Sequence, residues 1–559
     1  MENKFYSEKF MDLIIPNTLL SVYENQGTIT SINNLYSIVH IPIDKIDFCS
    51  FNGFSYSYFP TCYTLDSTIV LEKLGVDKVR TNPNLNLYGA GVLVGVIDSG
   101  VNYQHKAFLF NDKTTKLYSI WDQTIYKEDS PVNEEFPYGT FYSKQEINRA
   151  LLQSNPLDSV PSTDENGHGT AIAGIIVGSE DTGNDFAGVS PLSELVVVKL
   201  KQAKEVVRQF FSISKEVTCY QKSDIMMGIK YILDVAGKLN RPLVLCIAMG
   251  SSQGGDDGLD PLSYYLNDIS RAPRFCVVVS GGNEGNRNRH YLGNFERGDE
   301  FKEFEFRVGE KDKLFFMEIW MQPIQRLSFE ITSPTGEKIS NVNPGIHQIK
   351  KYNFIFGPTK LCVNNITTES ESGDQLILIR FDNTQSGVWK IRLNNIDKTH
   401  SDFNVWLPSG ELITNETFFL QSDSYLTITS PGNAFAPITI GAYDTLEGGI
   451  ATFSSKGYTR KNVVKPDLTA PGTFIESPSN KEGYVTVSGT GSAAALSSGV
   501  AALLLEWAIL KGNYTGITGS EIKTFLIRGA RRDVNIDYPN RTWGYGQIDL
   551  YGTFQKLTI

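Results

Sequence analysis

The sequence is poor in the residues that build metal sites and disulfide scaffolds. Its 559 residues include only six Cys and six His, and no two Cys are spaced as CxxC. A zinc ribbon or a thioredoxin-type site is therefore not expected. A disulfide framework is not expected either, because six Cys are too few for a chain of this length, and this favours a reducing environment.

Basic charge, long apolar runs and a leader segment are scarce as well. Asp and Glu number 62 against 51 Lys and Arg, which gives a formal net charge of −11 at pH 7. This acidic balance, without a basic block, argues against nucleic acid as a partner. No run of about 18 apolar residues is present, which predicts no membrane span. The N-terminal sequence MENKFYSEKFMDLIIPNTLL contains early acidic residues and no sustained apolar segment, so we predict no signal peptide.

Apolar and aromatic residues are plentiful. Hydrophobic residues make up 41% of the chain and aromatic residues 11%, which excludes wholesale disorder. From residue 89 onwards, continuous apolar runs alternate with helical stretches. This pattern predicts an α/β domain with a buried parallel sheet. The runs that we expect to be its strands are 92–97, 195–200, 243–248 and 275–279.

A β-rich texture interrupts this pattern between about residues 291 and 425. Short alternating runs separated by turn residues, such as 304–308 and 327–332, predict an antiparallel sandwich or barrel. The chain is therefore expected to comprise a small α/β unit with a helix at 67–74, one α/β domain in two portions, and an inserted β-rich domain. The predicted boundaries are 1–88, 89–290, 291–425 and 426–559.

Three glycine-rich segments carry residues of chemical interest. GVIDSGV at 95–101 places Asp98 at the end of a buried strand, where open α/β sheets hold functional groups. NGHGT at 166–170 begins an apolar helix with His168 between two glycines, which permit close approach. SGTGSAAA at 488–495 leads into another helix, whose free N–H groups favour negative charge. Taken singly, each segment fits a capped turn or a tightly packed helix start equally well.

Together the three segments resemble the subtilisin-like serine proteases (subtilases), in which Asp, His and Ser follow in this order. VVSGGNEG at 278–285 resembles the family's segment with the oxyanion-hole Asn, here Asn283. KPDLTAPG at 465–472 resembles the KPD…APG loop, and FAGVSP at 186–191 also fits.

The resemblance covers about residues 89–290 and 426–552. It implies a subtilisin-like parallel sheet with helices on both faces, and it assigns Asp98 and His168 to the catalytic acid–base positions. Calcium sites are common in subtilases, so structural calcium is possible, but no ligand set is assignable. We predict no other cofactor.

The nucleophile position departs from the family. The family motif reads Gly-Thr-Ser-x-Ala, and here Gly491 follows Thr490. In subtilases a Gly on the same helix follows the nucleophile by eight residues, and Gly499 lies eight residues after Gly491 but seven after Ser492. A one-residue step at a helix start also turns a side chain by about 100°. Gly491 therefore takes the nucleophile position, and it has no hydroxyl to form an acyl-enzyme.

The predicted substrate-binding wall is a second departure. In the family this strand end usually begins with Ser in a Ser-x-Gly pattern, and here it reads Ala248, Met249 and Gly250. We take this change as a further sign of lost activity.

Within the subtilases, the chain resembles the clostridial Csp germination proteases. The resemblance rests on the N-terminal segment without a signal peptide, LYSIWDQT at 117–124, and the β-rich insertion, which is a jelly-roll domain in that group. Csp proteins reside in spores, where the active member cleaves the precursor of a cortex-lytic enzyme. The CspA- and CspC-type members are pseudoproteases that regulate germinant sensing, and Gly491 resembles these, although the retained His168 departs from the more decayed versions.

This resemblance implies a location in the spore coat or cortex region and protein partners. The expected partners are other Csp proteases, the cortex-lytic precursor and the chain's own prodomain. Active subtilases cut themselves free of the prodomain, whereas a chain with Gly491 should not. We therefore expect residues 1 to about 85 to stay attached and cover the cleft, and a cut near Tyr88 would contradict this.

Three functional hypotheses remain open. The first is a pseudoprotease that acts as a binding and signalling scaffold. The second is a working serine endopeptidase that recruits Ser492 or water. The third is a carbohydrate- or peptide-binding module in the β-rich insertion, marked by Trp320, Trp389 and Trp406, although we expect these three side chains to lie in the core.

Overall fold

The computed structural model describes residues 3–23, 25–46, 51, 53–65, 74–126, 135–184, 186–322, 327–342 and 349–557. The N-terminal region contains an antiparallel sheet in the order β1-β3-β2. The predicted helix at 67–74 lies outside the described residues, apart from Leu74. The elements of this region are β1 Phe10–Pro16, α1 Leu20–Tyr23, β2 Thr28–Ser31, β3 Tyr36–Pro42, β4 Cys62–Leu65 and α2 Val76–Thr81.

The next portion of the chain alternates strands and helices. Its strands are β5 Leu93–Asp98, β6 Leu117–Asp122, β7 Thr140–Ser143, β8 Glu194–Lys199, β9 Tyr220–Gln221, β10 Leu243–Ile247, β11 Met249–Gly250 and β12 Phe275–Ser280. Its helices are α3 Lys144–Leu151, α4 His168–Val177, α5 Glu205–Phe210, α6 Lys222–Leu239 and α7 Pro261–Arg271.

The following portion, which we call the β block (residues 290–419), consists of strands joined by turns. They are β13 His290–Phe295, β14 Phe301–Val308, β15 Phe315–Met321, β16 Leu327–Thr332, β17 Lys338–Val342, β18 Ile349–Asn353, β19 Lys360–Ile366, β20 Gln375–Asp382, β21 Gly387–Asn395, β22 Ser401–Trp406 and β23 Phe418–Phe419. The last portion contains β24 Ile438–Tyr443, β25 Leu468–Pro471, β26 Ile475–Pro478, β27 Tyr484–Val487, α8 Thr490–Leu505, α9 Gly519–Gly529 and α10 Leu550–Leu557.

The central sheet is built from the portions on either side of the β block. Its order is β25-β24-β12-β10-β5-β8-β6-β7, and its pairs are parallel except for β6 with β7. One face packs on α4 and α8 and the other on α6 and α7. This arrangement confirms the predicted fold class, because strands covered on both faces must be apolar along their whole length.

The β block forms two antiparallel sheets that share one core. One sheet has the order β13-β22-β15-β20-β19-β18 and the other β17-β16-β21-β14-β23. β15 is buried along its whole length because its second face also packs, against the N-terminal region. The three tryptophans are buried, at 2% exposed for Trp320, 0% for Trp389 and 4% for Trp406, which confirms that they are core residues.

A further hydrophobic core joins three parts of the chain. It contains side chains of the N-terminal region, such as Ile15 and Phe59, together with Phe210 of α5 and Trp320 of the β block. The Phe59 and Phe210 rings stack at 4.2 Å between centroids. The N-terminal region is therefore wedged between the α/β domain and the β block, and its removal would expose apolar surface on both.

The cysteines and the longest apolar helix complete the fold. Cys62, Cys219, Cys246 and Cys276 are buried free thiols, whereas Cys362 is disulfide-bonded, which the scattered spacing of the cysteines did not predict. The helical segment Thr490–Leu510 is long and apolar enough to cross a membrane by length and composition, but 83% of its 18-residue apolar window is buried inside the protein, where the helix packs on the central sheet.

Candidate active site

The structure brings Asp98 and His168 together at the carboxyl edge of the central sheet. Asp98 is the last residue of β5 and His168 the first of α4. The His168 Nδ1 atom lies 2.8 Å from Asp98 Oδ1 and 2.9 Å from Oδ2, and both side chains are buried. A carboxylate only accepts hydrogen bonds, so Nδ1 carries the proton and donates it. This pairing fixes the ring orientation as a general base requires.

The glycines around His168 make this approach possible. A Cβ atom at Gly169 would lie 2.1 Å from the carbonyl oxygen of Gly100 and 3.0 Å from Asp98 Cβ. Gly167, which precedes the helix, has φ +91°, a conformation that L side chains rarely adopt. The start of α4 can therefore contact the turn after β5 only with glycine at these positions.

A buried carboxylate that the sequence analysis missed organises this corner. Asp164 accepts hydrogen bonds from Ser99 Oγ at 2.8 Å, from Gly167 N at 2.8 Å, and from Thr170 N and Oγ1 at 2.8 and 2.7 Å. The Ser99 amide in turn donates to Asp98 Oδ1 at 2.7 Å. Asp164 therefore connects the turn after Asp98 to the helix start that carries His168. Its position four residues before His168, in a polar loop leading to a helix, was the available signal.

The nucleophile position lies at the start of α8. Gly491 is the second residue of this helix and is buried. Ser492 is 0% exposed, and within the part of the chain that the structure describes its Oγ atom has no hydrogen-bond partner. Ser492 is thus not hydrogen-bonded to His168.

Asn283 lies after β12 and is held by the residue before Gly491. Its Oδ1 atom accepts hydrogen bonds from Thr490 N and Thr490 Oγ1, both at 3.0 Å. The Gly282 amide donates to the same Thr490 hydroxyl at 3.1 Å. Because Oδ1 accepts both of these bonds, the NH2 group is the end of the Asn283 side chain that can donate, which is the chemical role that an oxyanion hole needs. Asn283 lines a groove of about 500 Å³ together with Ser488 and Arg287.

The loop that resembles the KPD…APG motif supports the helix start. Gly489 N donates to the carbonyl of Gly472 at 3.0 Å. Lys465 is buried and donates to Asp467 Oδ2 at 2.7 Å, and burial lowers the pKa of its ammonium group to about 7.

Burial raises the pKa of the Cys246 thiol, beneath the site, to about 12, so this cysteine is held as an unreactive thiol.

The predicted substrate-binding wall is already paired with another strand. Ala248 lies in the core, and Met249 and Gly250 form β11. β11 pairs antiparallel with β4, Met249 opposite Leu65 and Gly250 opposite Thr64. β4 also pairs on its other edge with β9. A strand of the N-terminal region thus occupies the position beside the wall, and no sequence pattern predicted the register of this pairing.

The described residues contain no group of three or more His, Cys, Asp or Glu side chains placed to hold a metal ion. The site itself is built from the protein groups described above. It combines an imidazole oriented by a carboxylate, an amide donor and a helix start, with glycine where an attacking hydroxyl would stand.

Comparisons with known proteins were made by sequence and by structure. The sequence model of the "Subtilase family" matches residues 89–298 and 413–546, more than half of the chain. The PII-type proteinase of Lacticaseibacillus paracasei is 22% identical over 538 residues, and the PI-type proteinase of Lactococcus lactis subsp. cremoris is 25% identical over 537 residues. Each alignment covers 85% of this chain but 26% of the relative, so the chain spans about a quarter of their length.

Among solved structures, the CspB protease of Clostridium perfringens is similar along most of both chains. The identity is 29% and the TM-score 0.76, and the match covers 87% of this chain and 96% of that one. This likeness includes the β block as well as the central sheet, because neither portion alone amounts to 87% of the chain.

Proposed function

The chain belongs to the subtilase family, and from this premise we propose that it is a catalytically inactive member, a pseudoprotease that regulates spore germination by binding other proteins. The observation that carries the proposal is the start of α8. Gly491 has no side chain, and Ser492 Oγ is buried with no hydrogen-bond partner among the described residues. Neither residue offers His168 a hydroxyl to deprotonate, so no acyl-enzyme forms.

The rest of the site supports binding without turnover. The Asp98–His168 pair and the amide of Asn283 are arranged as a subtilase uses them, and they can orient a peptide carbonyl or a water molecule. In a subtilisin, loss of the nucleophile lowers turnover by about a million-fold, and what remains comes from the oxyanion hole and binding. A site of this kind retains affinity for polypeptide while its chemistry is lost, and here the polypeptide beside the predicted wall is the chain's own N-terminal region.

The role in germination and the location in the spore coat or cortex region rest on resemblance. The chain shares sequence features with the clostridial germination proteases, and its solved relative with 29% identity is a CspB protease. We propose that the partners are another protease of this group or the precursor of a cortex-lytic enzyme. Binding of the purified chain to each of these two proteins, measured in solution, tests the assignment.

We also propose that the N-terminal region remains covalently attached. β4 fills the position beside the predicted substrate wall, and the region shares a hydrophobic core with α5 and the β block. Without an acyl-enzyme the chain has no means to cut this segment itself. The region therefore acts as a permanent part of the fold that covers the cleft.

A working endopeptidase is the second candidate, and the intact Asp98–His168 hydrogen bond favours it. In that case Ser492 or a water molecule would act as the nucleophile, and the chain would process the cortex-lytic precursor. Recruitment of Ser492 requires its hydroxyl to leave its buried position in the protein core and reach His168. We rank this candidate second because both the register to Gly499 and the burial of Ser492 oppose it.

A fluorophosphonate probe of serine nucleophiles separates the two candidates. We expect the purified full chain to show no labelled serine by mass spectrometry, and its intact mass to stay unchanged on incubation. An active subtilisin treated in parallel provides the positive control. A label on Ser492 would refute the pseudoprotease, and so would a cut near Tyr88 that develops with no other protease present.

A further inference from the structure

The position beside the predicted substrate wall is a slot for one extended strand. β4 lies between β11 on one edge and β9 on the other. Its pairs with β9 are Cys62 opposite Gln221 and Tyr63 opposite Tyr220. The amide of Cys62 also donates to Gln253 Oε1 at 2.8 Å. The slot thus holds the backbone of its occupant on both sides, as in β-strand addition.

A segment of the β block, residues 407–410, crosses over this slot. A Cβ atom at Gly410 would lie 1.9 Å from Thr64 Oγ1 and 2.6 Å from Thr64 Cβ. Gly410 also has φ +61°, which favours glycine. Thr64 is only 6% exposed beneath it. The side chain at position 64 therefore points towards the β block and meets its backbone with no space to spare.

Hydrogen bonds fix residues 407–410 to one side of the slot, next to β11. Ser252, two residues beyond the wall, donates from its Oγ to the carbonyl of Leu407 at 2.9 Å and from its backbone N to Ser409 Oγ at 2.9 Å. Ser409 is 1% exposed, so these bonds are shielded from water. The segment follows β11 and cannot move away from it without breaking both bonds.

A second set of bonds fixes the same segment to the oxyanion side. Glu284, which follows Asn283, accepts a hydrogen bond from Gly410 N at 2.8 Å. Arg289 donates to the carbonyls of Pro408 and Gly410 at 3.1 and 2.6 Å. Glu284 and Arg289 are both buried. The segment is therefore anchored at two places, next to β11 through Ser252 and beyond Asn283 through Glu284 and Arg289.

We propose that residues 407–410 form a fixed lid over the slot, and that the slot accepts only an extended peptide with a small side chain at the position of Thr64. The β block in this way selects the occupant of the cleft, and the chain's own strand β4 meets its requirement. The proposal rests on the retention of the N-terminal region proposed above. A larger side chain at this position has to displace the lid, which hydrogen bonds anchor to Ser252 on one side and to Glu284 and Arg289 on the other.

Hydrogen exchange of the full chain tests the lid. In Gly410→Ala, the amides of residues 62–65 are expected to exchange at least tenfold faster than in the wild type. Gly336→Ala is the matched control, because Gly336 also has a positive φ, +86°, in the β block, while no described heavy atom lies within 4 Å of its Cβ position. This control should change exchange in β4 less than twofold. Adding Thr64→Gly to Gly410→Ala should restore slow exchange, since it removes the clashing side chain.

Size at position 64 gives an independent measurement. Thr64→Ala should keep wild-type exchange in β4, whereas Thr64→Leu should accelerate it at least tenfold. Equal exchange in Gly410→Ala and Gly336→Ala, or a fully protected Thr64→Leu, would overturn the lid. If Gly410→Ala alone yields no folded protein, rescue by Thr64→Gly supports the proposal and failure of that rescue contradicts it. Serine labelling reports on the pseudoprotease separately, since it measures the reactivity of Ser492, whereas the exchange of β4 in the uncut chain measures only the lid.

Discussion

The two halves of the candidate active site differ in how fully their side chains are hydrogen-bonded. In the acid–base half, the pair of Asp98 and His168 is surrounded by the hydrogen bonds of Ser99, Asp164 and Thr170. In the nucleophile half, glycine stands at the second position of α8, followed by a serine whose hydroxyl has no partner in the described chain. The proposed loss of chemistry therefore lies in the nucleophile half, while the hydrogen bonds that orient Asp98 and His168 are in place.

This difference indicates what holds each half in place. The residues around Asp98 and His168 share buried hydrogen bonds, so replacing one of them leaves others unsatisfied at a cost in stability. A nucleophile hydroxyl at the start of α8 contributes little to the fold, and a glycine is accommodated there. Replacing a residue of the acid–base half should therefore cost more stability than replacing one of the nucleophile half.

The largest expected effect is a gain of chemistry in Gly491→Ser. If the acid–base half is functional, the new hydroxyl should react with a fluorophosphonate probe to near stoichiometry. Peptide hydrolysis or self-cleavage should then rise by several orders of magnitude, because loss of a nucleophile costs a subtilisin about a million-fold. Mass spectrometry of the labelled site and of the intact chain measures both.

Two controls bound this result. His168→Ala in the Gly491→Ser background should abolish labelling, since the serine needs its base. Ser492→Ala in the same background should leave it intact. A Gly491→Ser protein that folds and remains unlabelled would show that the acid–base half has also lost its function, through Ala248 or other changes, and the contrast between the halves would fail.

A smaller effect is expected in the acid–base half from Asp164→Ala. This change leaves the donors of Ser99, Gly167 and Thr170 without their acceptor in a buried site, which should lower the free energy of unfolding by about 3 kcal/mol. Asp158→Ala is the matched control, because Asp158 is exposed and accepts one side-chain bond, from Asn155. The control should cost less than about 0.5 kcal/mol in denaturant unfolding. Equal losses in the two variants would remove Asp164 from the supporting network.

The smallest effect is expected in the nucleophile half from Ser492→Ala. Removing a buried hydroxyl without a hydrogen-bond partner should be neutral or stabilising by up to about 1 kcal/mol. Ser498→Ala, on the same helix, should instead be destabilising by about 1 kcal/mol, because Ser498 Oγ donates to the carbonyl of Ala494 at 2.8 Å. Thermal or denaturant unfolding measures both. A loss in Ser492→Ala as large as in Ser498→Ala would mean that Ser492 is engaged after all.

Much of the fold was predictable from local patterns. Strands covered on both faces, such as β5 and β10, are continuous apolar runs whose order along the chain leaves few arrangements. The two-sheet texture of the β block was visible for the same reason, since half-buried strands alternate. β15 does not alternate, because its second face packs against the N-terminal region. A local sequence pattern does not show which distant segment covers a strand.

The site was predictable where its residues are marked by glycine. Asp98, His168 and Asn283 each lie within two residues of a glycine that allows close backbone approach. Asp164 and Thr490 were missed, because an Asp in a polar loop and a Thr at a helix start are common in many structures. Their role depends on several donors or acceptors that meet them in the folded protein. These partners come from separate parts of the chain, so the sequence does not show that they meet.

The sequence by itself predicts that the nucleophile position holds glycine, because a missing side chain is a local feature and the eight-residue interval to Gly499 indicates the register. It also determined the order of the motifs and the class of the central sheet. Only the tertiary structure decided that Ser492 is buried and that β4 fills the cleft beneath Gly410. These features depend on contacts between residues hundreds of positions apart, which packing and hydrogen bonding establish only when the chain is folded.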